Sequence, residues 1–361
     1  MKRVYNFNPG PATLPLEVLQ KAQEEFLNFD NSGMSIIEIS HRAKPYEKVH
    51  NQAKADILEL MGLGEDYEVL FIQGGASLQF SMVPLNFATK EKPGSYVLSG
   101  TFSSNAYKEA NILGVGQVAA STKDENFKRV PRQDELKIDK NSAYLHICNN
   151  NTIFGTEFHY IPETDGIPLF ADMSSDFLSR PMDFKKFSLI YVGAQKNLGP
   201  AGVVIVVAKK SLIEKSPETL PTMLRYDTFY NKNSLYNTPP AFSIYMVGKV
   251  AAWIKNQGGL PEMQKRNAKK AEVLYAAIDN SDGFYKGHAD KDSRSFMNVT
   301  FRLPNEDLEK KFVAEALENN LSGVKGHRSV GGMRASIYNA MTLEGVETLA
   351  NFMENFRRQN S

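Results

Sequence analysis

The sequence predicts an α/β fold: a mostly parallel sheet clothed in helices, followed by a smaller α+β unit. Three observations predict it. Between residues 67 and 208, short β-rich runs alternate with helical patterns, the arrangement a chain needs when parallel strands are joined by crossovers. At 361 residues and 42% hydrophobic, the chain exceeds one ordinary core and suggests two packed units. Beyond the turn "GGLP" the pattern changes to helix, strand, helix, which marks the second unit.

Taken in order, "YEVLFIQ" reads as a buried strand and "SLQFSMVPLNFAT" as a helix that begins near Ala76 and Ser77. "SYVLSG" is the next strand, "SSNAYKEANIL" the next helix, and "SAYLHICN", "IPLFAD" and "SLIYVGA" are further strands. "GPAGVVIVVA" is a strand that Gly199 and Gly202 allow to turn back sharply on its predecessor. The helix "SIYMVGKVAAWIKNQ" ends at Gly258 and Gly259, and a basic amphipathic helix, "EMQKRNAKKAEVLYAAI", follows. "SFMNVTFRL" and "NEDLEKKFVAEALENN" complete the pattern as strand and helix. The clusters "MGLGED" and "GVGQVA" lack a dinucleotide fingerprint and read as turns. In "QKRNAKKAE" the charges alternate around an apolar stripe, which predicts a solvated face and not a nucleic-acid site.

Composition excludes several classes of function. The net charge of +1, from 42 basic against 41 acidic side chains, provides no global field toward nucleic acid or anionic lipid. The first residues, "MKRVYNFNPGPATLP", lack the apolar stretch of a signal peptide, and the longest apolar run, "VVIVVA", is too short to span a bilayer. A cytoplasmic protein with neither membrane nor nucleic-acid partner is expected. The one cysteine, Cys148, excludes an internal disulfide and fits a reducing compartment. Its apolar run "SAYLHICN" predicts an inert core thiol, and the apolar neighbours of Trp253 predict packing as that residue's whole role.

Three features point to chemistry. Lys196 sits in a Gly, Gln, Asn and Pro turn between two apolar strands. If desolvated there, it has a lowered pKa and a neutral amine able to form a Schiff base; on position alone a solvated turn lysine is the commoner case. Asp172 ends a strand one strand upstream, where it serves either as a cap for the turn "MSSD" or as the partner of a buried cation. The strand, Gly-Gly turn and helix of "VLFIQGGASLQFSMVPLNF" are a phosphate cradle in type, because free amides and the positive end of the helix dipole face the same point. Glycine pairs also serve such turns for backbone geometry alone.

With "NFNPGPATLP", "SIIEISHRAK", "FIQGGASLQF", "CNNNTIFGTEF", "ADMSSDFLSRP", "YVGAQKNLGPAG", "YNTPPAFSIY" and "KGHRSVGGMRASIYNAM", the chain resembles the phosphoserine aminotransferase family nearly end to end. These are pyridoxal-phosphate enzymes of fold type I and class V. The resemblance implies a seven-stranded sheet in a large cofactor-binding domain, residues 16–258. It implies a small α+β domain of residues 259–361 joined by the segment 1–15. It implies that Lys196 carries pyridoxal 5'-phosphate as a Schiff base and that Asp172 stands beside the ring nitrogen. Ala76 and Ser77 are expected at the cofactor phosphate, Phe102 and Thr152 beside the ring, and Gln195 next to the lysine. Asn237 and Thr238 are expected to reach the cofactor phosphate of a neighbouring subunit, which makes the protein a homodimer with shared sites. Phe102 and Ser77 depart from members that carry Trp and Arg there; Phe keeps the ring stack with less surface, and Ser removes a charge.

The substrate side follows from charge. "SHRAK" and "GHRSVGGMRAS" gather His41, Arg42, His327, Arg328 and Arg334 in a protein with no net field, and arginine forks match carboxylate and phosphate. The resemblance assigns Arg334 to the substrate α-carboxylate, and the other four to the phosphate of phosphoserine or the distal carboxylate of glutamate. It implies reversible transamination between phosphoserine and 2-oxoglutarate in serine biosynthesis, with phosphohydroxythreonine of pyridoxine biosynthesis a further candidate substrate and no metal. The rivals are another small-subgroup aminotransferase, a cysteine desulfurase using Cys148, or a cofactor-binding regulator. A regulator would need a DNA-binding segment, and none is visible.

Overall fold

The computed structural model describes residues 3–361. Its main sheet has seven strands: β1 (Tyr67–Ile72), β2 (Gly94–Leu98), β3 (Gly116–Ser121), β4 (Tyr144–Cys148), β5 (Leu169–Asp172), β6 (Phe187–Gly193) and β7 (Val204–Lys209), in the spatial order β1-β7-β6-β5-β4-β2-β3. Strand β7 runs antiparallel to both neighbours, while β6, β5, β4, β2 and β3 pair in parallel. The tight β6–β7 connection explains the exception, since only antiparallel neighbours can be joined by so short a turn. That turn carries Lys196.

Alternation along the central strands splits their side chains between two cores. Val69, Phe71, Ile190, Val192, Ile205 and Val207 point to one face, into the core shared with helices α1 (Leu16–Glu25), α2 (Lys44–Met61) and α5 (Ala241–Asn256). Leu70, Ile72, Leu189, Tyr191, Val204 and Val206 point to the other, where α3 (Gly75–Phe87) and α4 (Thr101–Ile112) cover them. Cover on both faces is why these strands read as unbroken apolar runs instead of alternating ones. It also leaves the carboxyl ends of β1, β2, β4, β5 and β6 along one edge, where open α/β sheets place their crevice.

The third core surrounds an antiparallel sheet of Lys286–Gly287, Asn298–Arg302 and Met333–Ser336. Helices α6 (Gly259–Asp279), α7 (Glu306–Glu318) and α8 (Leu343–Asn360) pack on it through Leu274, Phe312 and Phe356. Phe7 joins this core because Tyr5–Asn6 pairs in parallel with Leu321–Ser322. Helix α6 runs between the units: Leu260 and Met263 belong to the first core, Ala271 and Leu274 to the third.

Three expectations need correction. "GVGQVA" is a turn only as far as Gly114 and Val115; Gly116–Ser121 forms β3 at the sheet edge, where one unpaired side lets small and polar residues stand in a strand. "QKRNAKKAE" is not solvated throughout, because Lys270 is buried and donates to the carbonyls of Ile337 (2.9 Å), Tyr338 (2.6 Å) and Met341 (3.0 Å). Burial pushes its pKa down to about 7 while those three carbonyls take its three ammonium hydrogens. Asn267, one turn earlier, is buried as well. Trp253 packs on the first core as expected, but its indole also donates to Glu17 Oε2 at 2.8 Å.

Candidate active site

Lys196 follows β6 at the crevice edge, with its stem covered and its amine directed at the loop after β4. Nζ donates to Thr152 Oγ1 at 2.7 Å and stands 4.5 Å from the centre of the Phe102 ring. Burial lowers the lysine pKa, Arg334 lowers it further, and Asp172 and Cys148 pull the other way. The direction of that shift favours the neutral amine relative to a lysine in water, which is what the desolvated alternative requires.

Asp172 is buried at the carboxyl end of β5, in register with Tyr191 on β6. Its Oδ1 accepts from the Ser174 amide at 2.9 Å, so the turn-capping role is present. That bond occupies one oxygen. Burial raises the carboxyl pKa, and Lys196 and the side-chain and backbone bonds from Ser174 oppose the rise, so a cation placed against this carboxylate would be favoured. Asp176, a turn further on, is buried, and burial and the nearby Glu157 both push its pKa up. Cys148 is buried, its thiol pushed up by burial and by Asp172, and Sγ lies 3.5 Å from the Asn150 carbonyl. Such a thiol is a poor nucleophile, as the sequence predicts.

At the end of β1, Gly74 (φ 92°) and Gly75 (φ 69°) both adopt the left-handed conformation that only glycine enters without strain. Helix α3 therefore starts at Gly75, one residue before the expected point, and no side chain caps it. The amides around Ala76 and Ser77 are left for a ligand. Asn237 donates to Gln73 Oε1 at 3.0 Å, and Gln73 donates to the Thr238 carbonyl at 3.2 Å. Both residues are thus tied, within one chain, to the residue immediately before the glycine pair.

Arg334 lies on the buried strand Met333–Ser336, not in a loop, and donates from Nη1 to the Thr152 carbonyl at 3.2 Å, which brings it to the lysine. Its Nε is buried and, among the described residues, has no partner. Arg328 and His327 stand close enough that Arg334 and Arg328 both push the His327 pKa down, after burial. His41 and Arg42 come from the loop before α2; Arg42 is exposed, and His41 Nε2 is buried without a partner among the described residues. No hydrogen bond within the described chain joins that pair to the His327–Arg334 stretch.

Sequence reasoning missed the N-terminal strap. Ala12 donates to the Gln195 carbonyl at 2.9 Å, Tyr338 donates to the Pro9 carbonyl at 2.8 Å, and a Cβ on Gly10 would come within 3.3 Å of Lys196 Cγ. A glycine between two prolines in "NPGPA" was the available signal. Asn197 was missed too: its Oδ1 accepts from the Asn339 amide at 2.9 Å and its Nδ2 donates to the Phe177 carbonyl at 2.7 Å, clamping the lysine turn to both units.

These residues fit pyridoxal phosphate on the structure's own terms. An uncapped helix start suits a phosphate, a buried carboxylate beside the lysine suits a protonated ring nitrogen, and a lysine of lowered pKa suits an aldehyde. The comparisons agree. The aminotransferase class-V family model matches residues 4–349. The chain is 57% identical over 359 residues, 99% of each chain, to the phosphoserine aminotransferase of Geobacillus kaustophilus (strain HTA426). It superposes with TM-score 0.98 and 53% identity on the solved phosphoserine aminotransferase from Bacillus circulans subsp. alkalophilus, covering 100% of both chains. A second solved structure, a phosphoserine aminotransferase from Trichomonas vaginalis with pyridoxal phosphate bound, gives TM-score 0.92 at 38% identity, covering 98% of this chain and all of that one.

Proposed function

The chain belongs to the aminotransferase class-V family, and from its near full-length similarity to phosphoserine aminotransferases we infer that it exchanges an amino group between O-phospho-L-serine and 2-oxoglutarate. The reaction is reversible, yields 3-phosphooxypyruvate and L-glutamate, and serves serine biosynthesis. Pyridoxal 5'-phosphate is the cofactor. The observation that carries this reading is the meeting of Lys196, Asp172 and the uncapped α3 start at one sheet edge.

Bound there, pyridoxal phosphate supplies an electron sink for the bonds at the amino acid α-carbon. The chain's own residues do the rest. Lys196 Nζ anchors the cofactor and, when free and neutral, accepts the proton from the substrate α-carbon. Asp172 would hold negative charge toward the protonated ring nitrogen and Phe102 would stack on the ring, while Thr152 Oγ1 orients the lysine amine. The amides of Ala76 and Ser77 receive the cofactor phosphate, and Gln195 supports the lysine turn through its link to Ala12. Arg334, with an unpartnered buried Nε, takes the α-carboxylate, and His327 and Arg328, with His41 and Arg42, take the distal anion.

Phosphoserine should then be used far more efficiently than serine. Serine retains the groups that meet Lys196 and Arg334 but leaves the distal cations unpaired. Charged hydrogen bonds contribute about 1.5 to 3 kcal/mol each, so losing two lowers kcat/KM by at least about a hundredfold. An assay coupled to glutamate formation measures it, and equal efficiency with serine or alanine would make this a general small-amino-acid transaminase.

The functional unit is a homodimer in the cytoplasm, with residues 16–258 as cofactor domain and 259–361 plus 1–15 as small domain. The joint core of Phe7 with Leu274 and Phe312 supports the division, and exposed Leu27 (81%), Ile37 (54%) and Tyr236 (47%) support a covering subunit. Among the described residues no helix is long and apolar enough to cross a membrane. In the dimer Asn237 and Thr238 reach the partner's cofactor phosphate. Mixed dimers of Lys196→Ala chains with chains altered at both Asn237 and Thr238 should therefore regain part of the activity, one intact site per pair. Absence of recovery after demonstrated subunit exchange would assign both residues to their own chain, beside Gln73.

A further inference from the structure

The stretch Gly326–Gly332 that carries His327 and Arg328 is curled by its own backbone: Val330 and Gly331 donate to the His327 carbonyl at 2.9 and 2.8 Å, and Gly326 donates to the Gly332 carbonyl at 2.8 Å. Inside the loop, His327 Nδ1 lies 2.7 Å from Ser329 Oγ. Backbone pairing at Lys325–Met333 closes its base, and among the described residues the side chains that hydrogen-bond the curl from elsewhere in the protein belong to one ion pair. Glu309, buried in the first turn of α7, accepts from Arg302 Nε at 2.6 Å and from the Gly332 amide at 3.3 Å. Arg302 Nη1 donates to the Val330 carbonyl at 3.0 Å. The pair thus grips the loop by an amide and a carbonyl two residues apart.

The glycines fit this grip sterically. A Cβ on Gly332 would stand 2.5 Å from Arg302 Cδ, and one on Gly331 would stand 3.3 Å from Arg302 Nη1, so the loop has wrapped the arginine side chain as closely as backbone can. Arg302 is half exposed, and an exposed ion pair stabilises a fold little; Glu309 is buried near the start of a helix, where the dipole favours its charge. A buried carboxylate that turns one oxygen toward a loop amide selects a loop conformation more than it adds stability. Arg334 begins two residues beyond Gly332, so the same contacts set the offset between the distal cations and the α-carboxylate arginine.

We propose that Arg302 and Glu309 are positioning residues for substrate recognition, which hold the Gly326–Gly332 loop so that His327 and Arg328 meet the distal anion of the substrate at a set distance from Arg334. This rests on the reading above that His327 and Arg328 serve that anion.

The test compares Arg302→Met, which keeps the stem and removes the fork, with Arg328→Ala and with the double variant, all as cofactor-loaded enzyme. Arg302→Met should raise KM for phosphoserine about tenfold or more while kcat stays within about threefold, with KM for serine and the cofactor absorbance unchanged. The double variant should lose less than the product of the two single losses, because a loop no longer held makes Arg328 less effective. Arg302→Lys, which keeps the charge but not the fork, should recover part of the affinity; it and Glu309→Gln carry the test if Arg302→Met does not fold. A uniform loss on phosphoserine and serine, or additive losses, would make the pair a stability element only and overturn the proposal. If Arg328→Ala itself spares phosphoserine, the reading of the loop is what fails.

Discussion

Lys196→Ala should hold no covalently attached cofactor and should turn phosphoserine over at least roughly ten-thousand-fold more slowly, since the variant loses the anchor and the group that moves the α-proton. Borohydride reduction and peptide mapping should trap the cofactor on Lys196 of the parent chain and nowhere on the variant. Cofactor trapped on another lysine, or turnover within about tenfold of the parent, would remove Lys196 from the chemistry. The same lysine makes a pH statement. The neutral amine captures the aldehyde, and burial lowers its pKa from the ordinary 10.5, so capture by cofactor-free protein should rise with pH and level off with a midpoint below 10.5. A midpoint at or above that value would mean that the amine is solvated.

Asp172→Asn should fold normally and lose roughly a hundred- to a thousandfold in turnover. The amide oxygen can still accept from the Ser174 amide, so the turn survives, but the charge that holds a proton on the ring nitrogen is gone. The stability effect has the opposite sign. Burial raises the Asp172 pKa above 3.8, so the native state binds this proton more tightly than the unfolded chain, and the charged carboxylate costs stability at neutral pH. Cofactor-free Asp172→Asn should therefore melt at the same temperature as the parent or higher at pH 7, with the parent closing the gap as pH falls toward the carboxylate range. Unchanged turnover would leave Asp172 as a turn cap; a large fall in melting temperature would show the carboxylate to be structural.

Much of this site lay within short stretches. Lys196 between apolar runs, Asp172 at the end of "IPLFAD" and the glycine pair after "VLFIQ" are each defined by neighbours a few residues away, and parallel strands bring their carboxyl ends to one edge. Edge position made β3 hard to read, because half its backbone pairs with nothing and its side chains need not be apolar. Lys270 was misread for a related reason: its stretch has the charge pattern of a solvated face, and only the arrival of three carbonyls from Ile337–Met341 makes burial tolerable.

The sequence by itself determined the α/β class, the strands of the main sheet other than β3 and the residue types at the ends of β1, β5 and β6, because periodicity and turn chemistry act over a few residues. Tertiary structure alone decided which distant groups meet them. Arg334 reaches the Thr152 carbonyl across 182 residues of chain, Gly10 lies against Lys196, and Glu309 and Arg302 hold a loop that neither adjoins in sequence. The physical reason is that a charged or polar side chain has no intrinsic address. Its burial is allowed only where the fold delivers its hydrogen-bond partners, and those come from segments that no local pattern connects.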